Sequence, residues 1–408
     1  MGSSRAADEP KAEPVVIRFW YGLGGALGEA VVSQVEKFNA THPKIRVEVS
    51  IHQGYGGTLA DFRAARTAGD PPEIAVLEIH AVAMVASNGG IASFDDLVRS
   101  DDQFAPDDLI GATLLNLRWN DQLYALPLNR STPILYCNKQ RFKAAGLDPN
   151  QPPRTWTELR EAARKLTTDP ERSYGLVVGP NAWIFEALVF GAGGELMNVA
   201  QKKAQFVTAG AKPLQRWADM VYRDKTARVG ATGGEFFQGQ AAMIIESTAF
   251  LSSYESNIQN FEIGTGFVPC EEGQKPAVST GGGAAVIPQQ LPPEKRRAAW
   301  EFLKWFISTE QTAEFSRQTG YVPVRKSAVE LLKKSGFYGQ HPNYLTAVEQ
   351  LEYAREAPPL PSWSNAWGAI GRAMGQYLKQ DQPAEASLAR AAEEVDRIFG
   401  GNAATKKK

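Results

Sequence analysis

The segment LPLNRSTPILYCNKQRFKAAGLDPNQPPRTWTEL, residues 126–159, contains the pattern from which the architecture of this chain can be worked out. A short apolar strand is predicted to end in a polar turn at residues 128–133, and a second apolar strand follows at 134–136. An amphipathic segment and a Pro-rich loop come next. Thr155 then opens a helix, and Glu158 completes its capping box. This order is typical of a chain that crosses from one lobe to another.

Length and composition narrow the class of protein. A chain of 408 residues is longer than one ordinary hydrophobic core supports, so two lobes are expected. The hydrophobic fraction of 43% fits a water-soluble globular protein, and a formal net charge of −1 argues against nucleic acid as a partner. No uncharged apolar run approaches the roughly 20 residues that span a bilayer.

The ends of the chain are not expected to contribute to the fold. The first ten residues have no apolar stretch of the kind found in a secretory signal peptide. A mature exported protein behind a short leader and a cytosolic protein would both look like this. The predicted tails are residues 1–14 and 401–408.

Histidine and cysteine give little support to an enzyme or a metalloprotein. Cys137 and Cys270 are too few for a disulfide scaffold or a zinc cluster. Two buried free thiols are expected, and a single bridge is the alternative, because a Cα separation cannot be read from sequence. The few histidines fit no metal-binding spacing, and no G-x-S-x-G motif is present. We therefore expect no cofactor and no catalytic activity.

The first lobe is predicted to begin as a doubly wound α/β unit. Residues 15–21 form a nearly continuous apolar run, as expected of a strand buried on both faces. A helix follows with Val31, Val35 and Phe38 on one face. Residues 45–51 then alternate like a strand with one solvated side, and residues 74–77 form another buried strand.

The rest of the chain divides between the lobes at two further crossings. The second lobe should contain helices at 155–168 and around Leu214, Trp217 and Val221, with strands at 242–245 and 261–268. A second crossing at Gly281 leads back to a strand at 285–287, and a third lies at 319–324. The predicted lobes are 15–130 with 281–325, and 131–280 with 326–400.

Several residues at these crossings and strand ends have a functional and an ordinary interpretation. Gly281 and Gly282 leave the backbone bare, which suits an anion-binding nest or simply a flexible loop. Glu78 ends a buried strand at the edge where open α/β sheets bind ligands, but a surface charge there is also common. Arg372 suits a bidentate phosphate clamp or a solvated helix face.

The three crossings, the Gly281-Gly282 pair and the TGYVP motif at 319–323 resemble the periplasmic solute-binding proteins that feed ABC importers. Within that family the chain is similar to the proteins that bind sn-glycerol-3-phosphate and related glycerophosphodiesters. The resemblance implies an α/β, two-lobed periplasmic binding protein fold of the maltose-binding-protein-like type II. Its discontinuous lobes are joined by hinge crossings, and its ligand lies in the inter-lobe cleft.

The resemblance also implies a function. The chain would be a monomeric, extracytoplasmic protein, periplasmic or membrane-anchored, that closes on a small glycerophosphate and delivers it to the transmembrane permease subunits. The phosphate would be held by Ser131, Gly281, Gly282, Tyr321 and Arg372. The glycerol end would be held by Tyr55 and Glu78. Trp183 would stack on glycerol carbons, and Ser247 or the neighbouring Thr248 would donate a hydroxyl across the cleft.

Arg130 departs from the family pattern, in which a small hydroxyl residue stands at this place. It would add positive charge to the anion pocket or fill space and change which head group fits. Two other functions remain open from the sequence. One keeps the fold but replaces the ligand by a neutral di- or oligosaccharide, held by cleft tryptophans. The more distant one is a cytosolic α/β enzyme.

Overall fold

The computed structural model describes residues 13–230, 233–380 and 383–400. Of the predicted tails, residues 1–12 and 401–408 lie outside this part. The strands are β1 (Val15–Tyr21), β2 (Ile45–Ile51), β3 (Ile74–Glu78), β4 (Arg118–Trp119), β5 (Gln122–Leu123), β6 (Leu126–Ser131), β7 (Pro133–Asn138), β8 (Tyr174–Val178), β9 (Met197–Asn198), β10 (Lys203–Ala204), β11 (Ala227–Val229), β12 (Ala241–Ser247), β13 (Ile263–Gly266), β14 (Val278–Ser279), β15 (Gly281–Val286) and β16 (Ala354–Arg355).

The helices alternate with these strands in the first half of the chain and dominate its last third. They are α1 (Gly25–Thr41), α2 (Gly54–Ala68), α3 (Ala81–Ser87), α4 (Asp95–Ser100), α5 (Lys139–Ala144), α6 (Trp156–Leu166), α7 (Ala182–Gly191), α8 (Phe206–Ala218), α9 (Gly234–Phe237), α10 (Leu251–Asn257), α11 (Pro293–Phe306), α12 (Thr309–Thr319), α13 (Lys326–Lys334), α14 (Phe337–Gln340), α15 (Asn343–Gln350), α16 (Trp363–Gln380) and α17 (Ala384–Gly400).

Two five-stranded sheets organise the two lobes. The first has the order β2-β1-β3-β15-β6, in which β1 runs parallel to β2 and β3, and β15 runs antiparallel to its neighbours. The second has the order β11-β8-β12-β7-β13, with β8 parallel to β11 and β12. In both sheets strands from distant parts of the chain lie side by side, so neither lobe is one continuous stretch of sequence.

Each sheet has its own hydrophobic core. The core of the first joins side chains between Ile17 and Leu128 to others between Ala284 and Val324. The core around the second joins side chains between Leu135 and Val278 to others between Ala357 and Phe399. Residues close to the start of α13 therefore mark the point where the last part of the chain leaves the first sheet.

The first crossing differs from the prediction at residues 128–133. These residues do not form a turn: β6 continues through Ser131, and β7 begins at Pro133, so Thr132 alone separates the strands of the two sheets. The polar backbone is satisfied by partners from elsewhere, because Gly281 pairs with Ser131 and the Val322 N–H donates to the Arg130 carbonyl over 2.9 Å. The crossing is therefore one extended, buried segment.

The second crossing also differs in local structure. The Gly-rich stretch is not a loop. Residues from Gly281 onward form β15, which lies in the sheet between β3 and β6 and pairs with both. The third crossing follows α12 and pairs with the first through the bridge between Arg130 and Val322. All three crossings thus lie next to one another.

Most of the predicted elements are confirmed. Thr155 caps α6, and its side chain and that of Glu158 form both hydrogen bonds of the capping box. The strand before Glu78 and the alternating strand at 45–51 are present as predicted. Cys137 and Cys270 are free and buried. Within the described residues, no helix combines the length and the apolar character needed to cross a bilayer.

The close contact between α6 and β8 gives a test of the second lobe. A Cβ atom at Gly175 would lie 2.4 Å from the Ala163 Cα atom, so the helix and the strand would have to separate. We expect Gly175→Ala to lower the free energy of unfolding by about 1–3 kcal/mol, measured by urea denaturation followed by circular dichroism.

Gly371→Ala is the matched control, because Gly371 lies within α16 and a Cβ atom there would enter open space, with no neighbouring group within 4 Å. Its free energy of unfolding should rise by up to about 1 kcal/mol. Equal denaturation midpoints for Gly175→Ala and the parent chain would contradict this account of the contact.

Candidate functional site

A cavity of about 570 Å³ opens where the three crossings meet. It is bounded by the ends of strands from both sheets and by the first turns of helices from both lobes. All but one of the residues predicted from the sequence line it: Tyr55, Glu78, Ser131, Trp183, Ser247, Gly281, Gly282 and Tyr321. The exception is Arg372.

The floor of the cavity is built by β6 and β15. Gly282 has φ of 108°, a value that side chains disfavour, and a Cβ atom there would lie 1.9 Å from the Asn129 carbonyl oxygen. A Cβ atom at Gly281 would lie 2.8 Å from the Trp183 ring. Bare backbone is therefore required by the close approach of strand and indole, whatever contact these residues make with a ligand.

Trp183 is held against this floor. It lies in the first turn of α7, whose cap residue Asn181 accepts a hydrogen bond from the Trp183 backbone N–H. The indole Nε1–H donates to the Thr280 carbonyl over 3.0 Å. Because its only donor is used there, the side chain can offer the cavity an apolar ring and no hydrogen bond.

A group of phenols forms the wall of the first lobe. The Asn129 amide donates to the Tyr55 hydroxyl over 2.8 Å, and the Tyr321 phenol interacts with both residues. Burial raises the pKa of Tyr321 to about 12, and burial next to Tyr321 raises the pKa of Tyr55 well above its ordinary value. Both phenols therefore keep their protons near neutral pH, and a phenol O–H can donate a hydrogen bond to a ligand oxygen.

Glu78 stands at the end of β3 and is fixed by its neighbour His80. The His80 backbone N–H donates to Glu78 Oε2 over 2.9 Å, and the His80 Nδ1 atom lies 2.8 Å from Glu78 Oε1. The Glu78 side chain is 21% exposed and reaches the cavity. A fixed carboxylate at this position can accept hydrogen bonds from ligand hydroxyl groups.

The opposite wall comes from the second lobe. Ser247 ends β12, and its hydroxyl accepts a hydrogen bond from the Ala249 N–H. Thr248 is fully buried and does not line the cavity, so of the two candidates Ser247 is the one that faces a ligand. Further small polar side chains on this wall come from α10: Ser252, Ser253, Ser256 and Asn257.

Arg372 does not reach the cavity. Its side chain is 60% exposed, and its guanidinium forms an ion pair with Glu394 on α17. The buried face of α16 includes Trp367, which lines the cavity. Five residues at about 100° each turn Arg372 about 140° away from it. The predicted phosphate clamp is therefore not present at this position.

Trp367 was not predicted as a site residue, although the sequence contained a signal for it. Ile370 and Met374 are apolar residues four positions apart in the sequence, and the helix face that they share also contains Trp367 and Trp363. The α10 serines carried no such signal, because small polar residues on a short helix are typical of any surface.

Arg130 is buried beneath the cavity and does not line it. Its guanidinium donates to the Thr280 hydroxyl over 2.7 Å and to the Leu115 carbonyl over 3.3 Å. Burial lowers its pKa to about 10, against the attraction of Glu78, so it remains a cation near neutral pH. Arg130 therefore adds positive charge below the floor and makes no direct contact with the cavity.

The lining as a whole is nearly uncharged, and most of its exposed surface is apolar. Glu78 is the one formally charged side chain among the cavity-lining residues that the structure describes. The other polar groups are hydroxyls, amides and backbone. In the described part of the chain no cluster of three His, Cys, Asp or Glu side chains is placed to hold a metal ion.

Comparison with known proteins agrees with this architecture. Residues 33–346 match the family described as bacterial extracellular solute-binding protein. The chain is 28% identical over 367 residues to the sn-glycerol-3-phosphate-binding periplasmic protein UgpB of Escherichia coli (strain K12), which covers 85% of this chain and 82% of that protein.

Solved structures share the fold. UgpB from Mycobacterium tuberculosis, in complex with glycerophosphocholine, has a TM-score of 0.86 at 24% identity and covers 96% of this chain and 100% of that chain. Maltose-bound MalE3 of T. maritima has a TM-score of 0.81 at 20% identity and covers 94% and 100%. The chain therefore belongs to the bacterial extracellular solute-binding protein family and has its two-lobed, maltose-binding-protein-like fold, with hinge crossings beneath the cleft.

Proposed function

We propose that this chain is the substrate-binding component of an ABC importer that captures a glycerophosphodiester, such as glycerophosphocholine, or glycerol-3-phosphate. The observation that carries the proposal is the cavity lining, which sets the carboxylate of Glu78 beside neutral donors. Glu78 and Tyr55 suit the hydroxyls of a glycerol moiety. The hydroxyls of Ser131, Ser247 and Tyr321, with the backbone of Gly281 and Gly282, suit phosphate oxygens.

Two relatives support the same class of ligand. The Escherichia coli protein is named for binding sn-glycerol-3-phosphate, and the Mycobacterium tuberculosis protein was solved with glycerophosphocholine. Trp183 would lie along the glycerol carbons, since its N–H is already used by Thr280. Arg372 has no part in this site.

The charge of the lining favours a phosphodiester over a phosphomonoester. A phosphodiester carries one negative charge, whereas a monoester approaches two at neutral pH. Without an arginine or lysine among the described lining residues, the second charge would be left unpaired at a cost of several kcal/mol. Arg130 interacts electrostatically with the lining residues Glu78 and Tyr55, and it would also attract the single charge of a phosphodiester.

Closure of the two lobes would complete the site. We assign residues 15–130 and 281–325 to one lobe and 131–280 and 326–400 to the other, joined at the three crossings. Tyr55 and Glu78 then lie on the first lobe and Ser247 on the second. A ligand that contacts both lobes favours the closed state by its differential affinity. The closed monomer would be recognised by the permease at the outer face of the membrane, in the periplasm or from a membrane anchor.

A neutral di- or oligosaccharide is the second candidate. The indoles of Trp183 and Trp367 line the cavity, and aromatic rings of this kind stack well on sugar faces. The fold is also shared by maltose-bound MalE3. A sugar needs no cation in the lining, so the charge argument does not exclude it.

A panel of ligands separates these candidates. We expect isothermal titration calorimetry to show micromolar binding of glycerophosphocholine, roughly −8 kcal/mol, and at least about tenfold weaker binding of glycerol-3-phosphate. Maltose should show no heat of binding. Tight binding of maltose without binding of either phosphate would contradict the proposal and favour the sugar.

Glu78 should be essential for the glycerol end of the ligand. Glu78→Gln keeps the size of the side chain but removes the charge that strengthens hydrogen bonds from ligand hydroxyls. We expect the affinity for glycerophosphocholine to fall by about 10- to 100-fold, or about 1.4–2.7 kcal/mol, in the same calorimetric assay.

Arg372→Ala is the matched control, because Arg372 lies on the outer face of α16 and its guanidinium pairs with Glu394 of α17. Its affinity should stay within about twofold of the parent chain. A tenfold loss of affinity in Arg372→Ala would show that Arg372 contributes to binding, and it would contradict the argument that the site lacks a cation.

A further inference from the structure

Beneath the cavity, a chain of polar groups connects the ligand-facing Glu78 to buried side chains that the proposed ligand contacts do not use. It joins Glu78 to His80, and His80 to Glu186, whose carboxylate meets the indoles of Trp363 and Trp367. The side chains of His80 and Glu186 are both 0% exposed. His80 follows β3 of the first sheet, whereas Glu186 lies on α7 and the indoles on α16. The chain therefore runs from one lobe to the other.

His80 holds both oxygens of Glu78. Its backbone N–H binds one oxygen and its Nδ1 atom the other, over 2.9 and 2.8 Å. Each carboxylate oxygen has a further lone pair, so Glu78 can still accept hydrogen bonds from the cavity side. A side chain that is already fixed loses less conformational freedom when a ligand binds.

The other nitrogen of His80 faces the second lobe. Its Nε2 atom lies 3.9 Å from Glu186 Oε2, and neither atom has a hydrogen-bond partner within the described part of the chain. That distance is too long for a direct hydrogen bond. A relative movement of the lobes by about 1 Å would make the bond.

The side chains on both sides of this gap are already held in the orientation that the missing hydrogen bond needs. The Glu186 Oε1 atom accepts the indole N–H groups of Trp363 and Trp367 over 2.9 and 2.6 Å, which fixes the carboxylate. The His80 ring packs against Trp367 with ring centroids 4.3 Å apart. Both partners are thus held by packing, and only the last contact is open.

The charges facing His80 come from three elements: Glu78 on its own segment, Glu186 on α7 and Arg130 on β6. Burial opposes the imidazolium, as does Arg130, but the two carboxylates outweigh both and raise the pKa of His80. Burial raises the pKa of Glu186, against the attraction of His80 and the two indoles.

We propose that His80 is a positioning residue that donates one ring N–H to Glu78 and the other to Glu186, so that it orients the ligand-accepting carboxylate and ties the lobes together on closure, a role that rests on the proposed function. A neutral imidazole has one N–H and can serve only one of the two carboxylates. With both carboxylates ionised, the double contact therefore needs the imidazolium.

The pH dependence of binding has a definite sign. Closure can complete the double contact while His80 is protonated, and this ability is lost as pH rises through the raised pKa of His80 in the folded protein. Ligand affinity should therefore be highest on the acidic side of that midpoint and fall above it. An ordinary histidine would lose its proton near pH 6.5.

The first test is a proton NMR titration of the ligand-free full chain. The four histidines are assigned by single substitutions, of which His80→Gln removes the signal of interest. We expect the His80 midpoint to lie above about 6.5 in the parent chain and to fall by about one unit or more in Glu186→Gln. A parent midpoint at or below 6.5 would overturn the proposal even if Glu186→Gln failed to fold.

Glu271→Gln is the matched control for loss of a buried carboxylate. Glu271 is 6% exposed, but it pairs with Arg216 and Lys212 on α8, away from His80. The His80 midpoint should be unchanged in this variant. Equal shifts in Glu186→Gln and Glu271→Gln would mean a general effect of charge, and the specific bridge would be excluded.

The second test measures binding of glycerophosphocholine by calorimetry between pH 5.5 and 8.5. The parent affinity should fall above the His80 midpoint, and in Glu186→Gln that fall should move to lower pH together with the midpoint. Binding with a flat profile in both would overturn the positioning role. If glycerophosphocholine did not bind at all, the proposed ligand would be wrong, while the ligand-free titration would still decide whether His80 bridges the carboxylates.

Discussion

The close approach of three backbone segments between the lobes is the constraint on which the rest of the structure depends. The first crossing pairs with the second through Ser131 and Gly281 and with the third through Arg130 and Val322. The second crossing begins with glycines for this reason: a Cβ atom at Gly282 would collide with the Asn129 backbone, and one at Gly281 with the Trp183 ring. The cavity lies directly above this junction, so any movement of the lobes changes its shape.

Charge in this region is placed under the cavity and not around it. Arg130, His80 and Glu186 are buried within the protein, and only Glu78 among the described lining residues reaches the cavity as a charged group. Burying charges in this way is costly unless they are paired. Here His80 lies 2.8 Å from Glu78 and 3.9 Å from Glu186, and Arg130 is attracted by Glu78. The lining is left to neutral donors, which are strong enough to orient a monoanion or a sugar but cannot neutralise a dianion.

Much of this was predictable from local sequence. Capped helices, buried strands and the carboxylate after β3 follow from patterns that span a few residues. The positions of the crossings were predicted correctly, but their local structure was not. The polar residues at 128–133 are extended because they pair with backbone more than a hundred positions away in the sequence. The prediction that Arg372 lines the cavity was wrong for a related reason. The sequence of α16 shows which residues share a helix face, but only tertiary packing decides which face meets the cleft. No local pattern connects His80 with Glu186.

Two indoles, of Trp183 and Trp367, form part of the cavity surface, while Trp156, Trp217 and Trp363 are almost fully enclosed. Indole emission responds to the water around the ring, and a bound solute would displace water from the first two alone. The emission of Trp183 and Trp367 should therefore change when a solute binds. The emission of the enclosed tryptophans should stay constant and serve as an internal reference. Capture of a solute can be followed by light emission without attaching any dye.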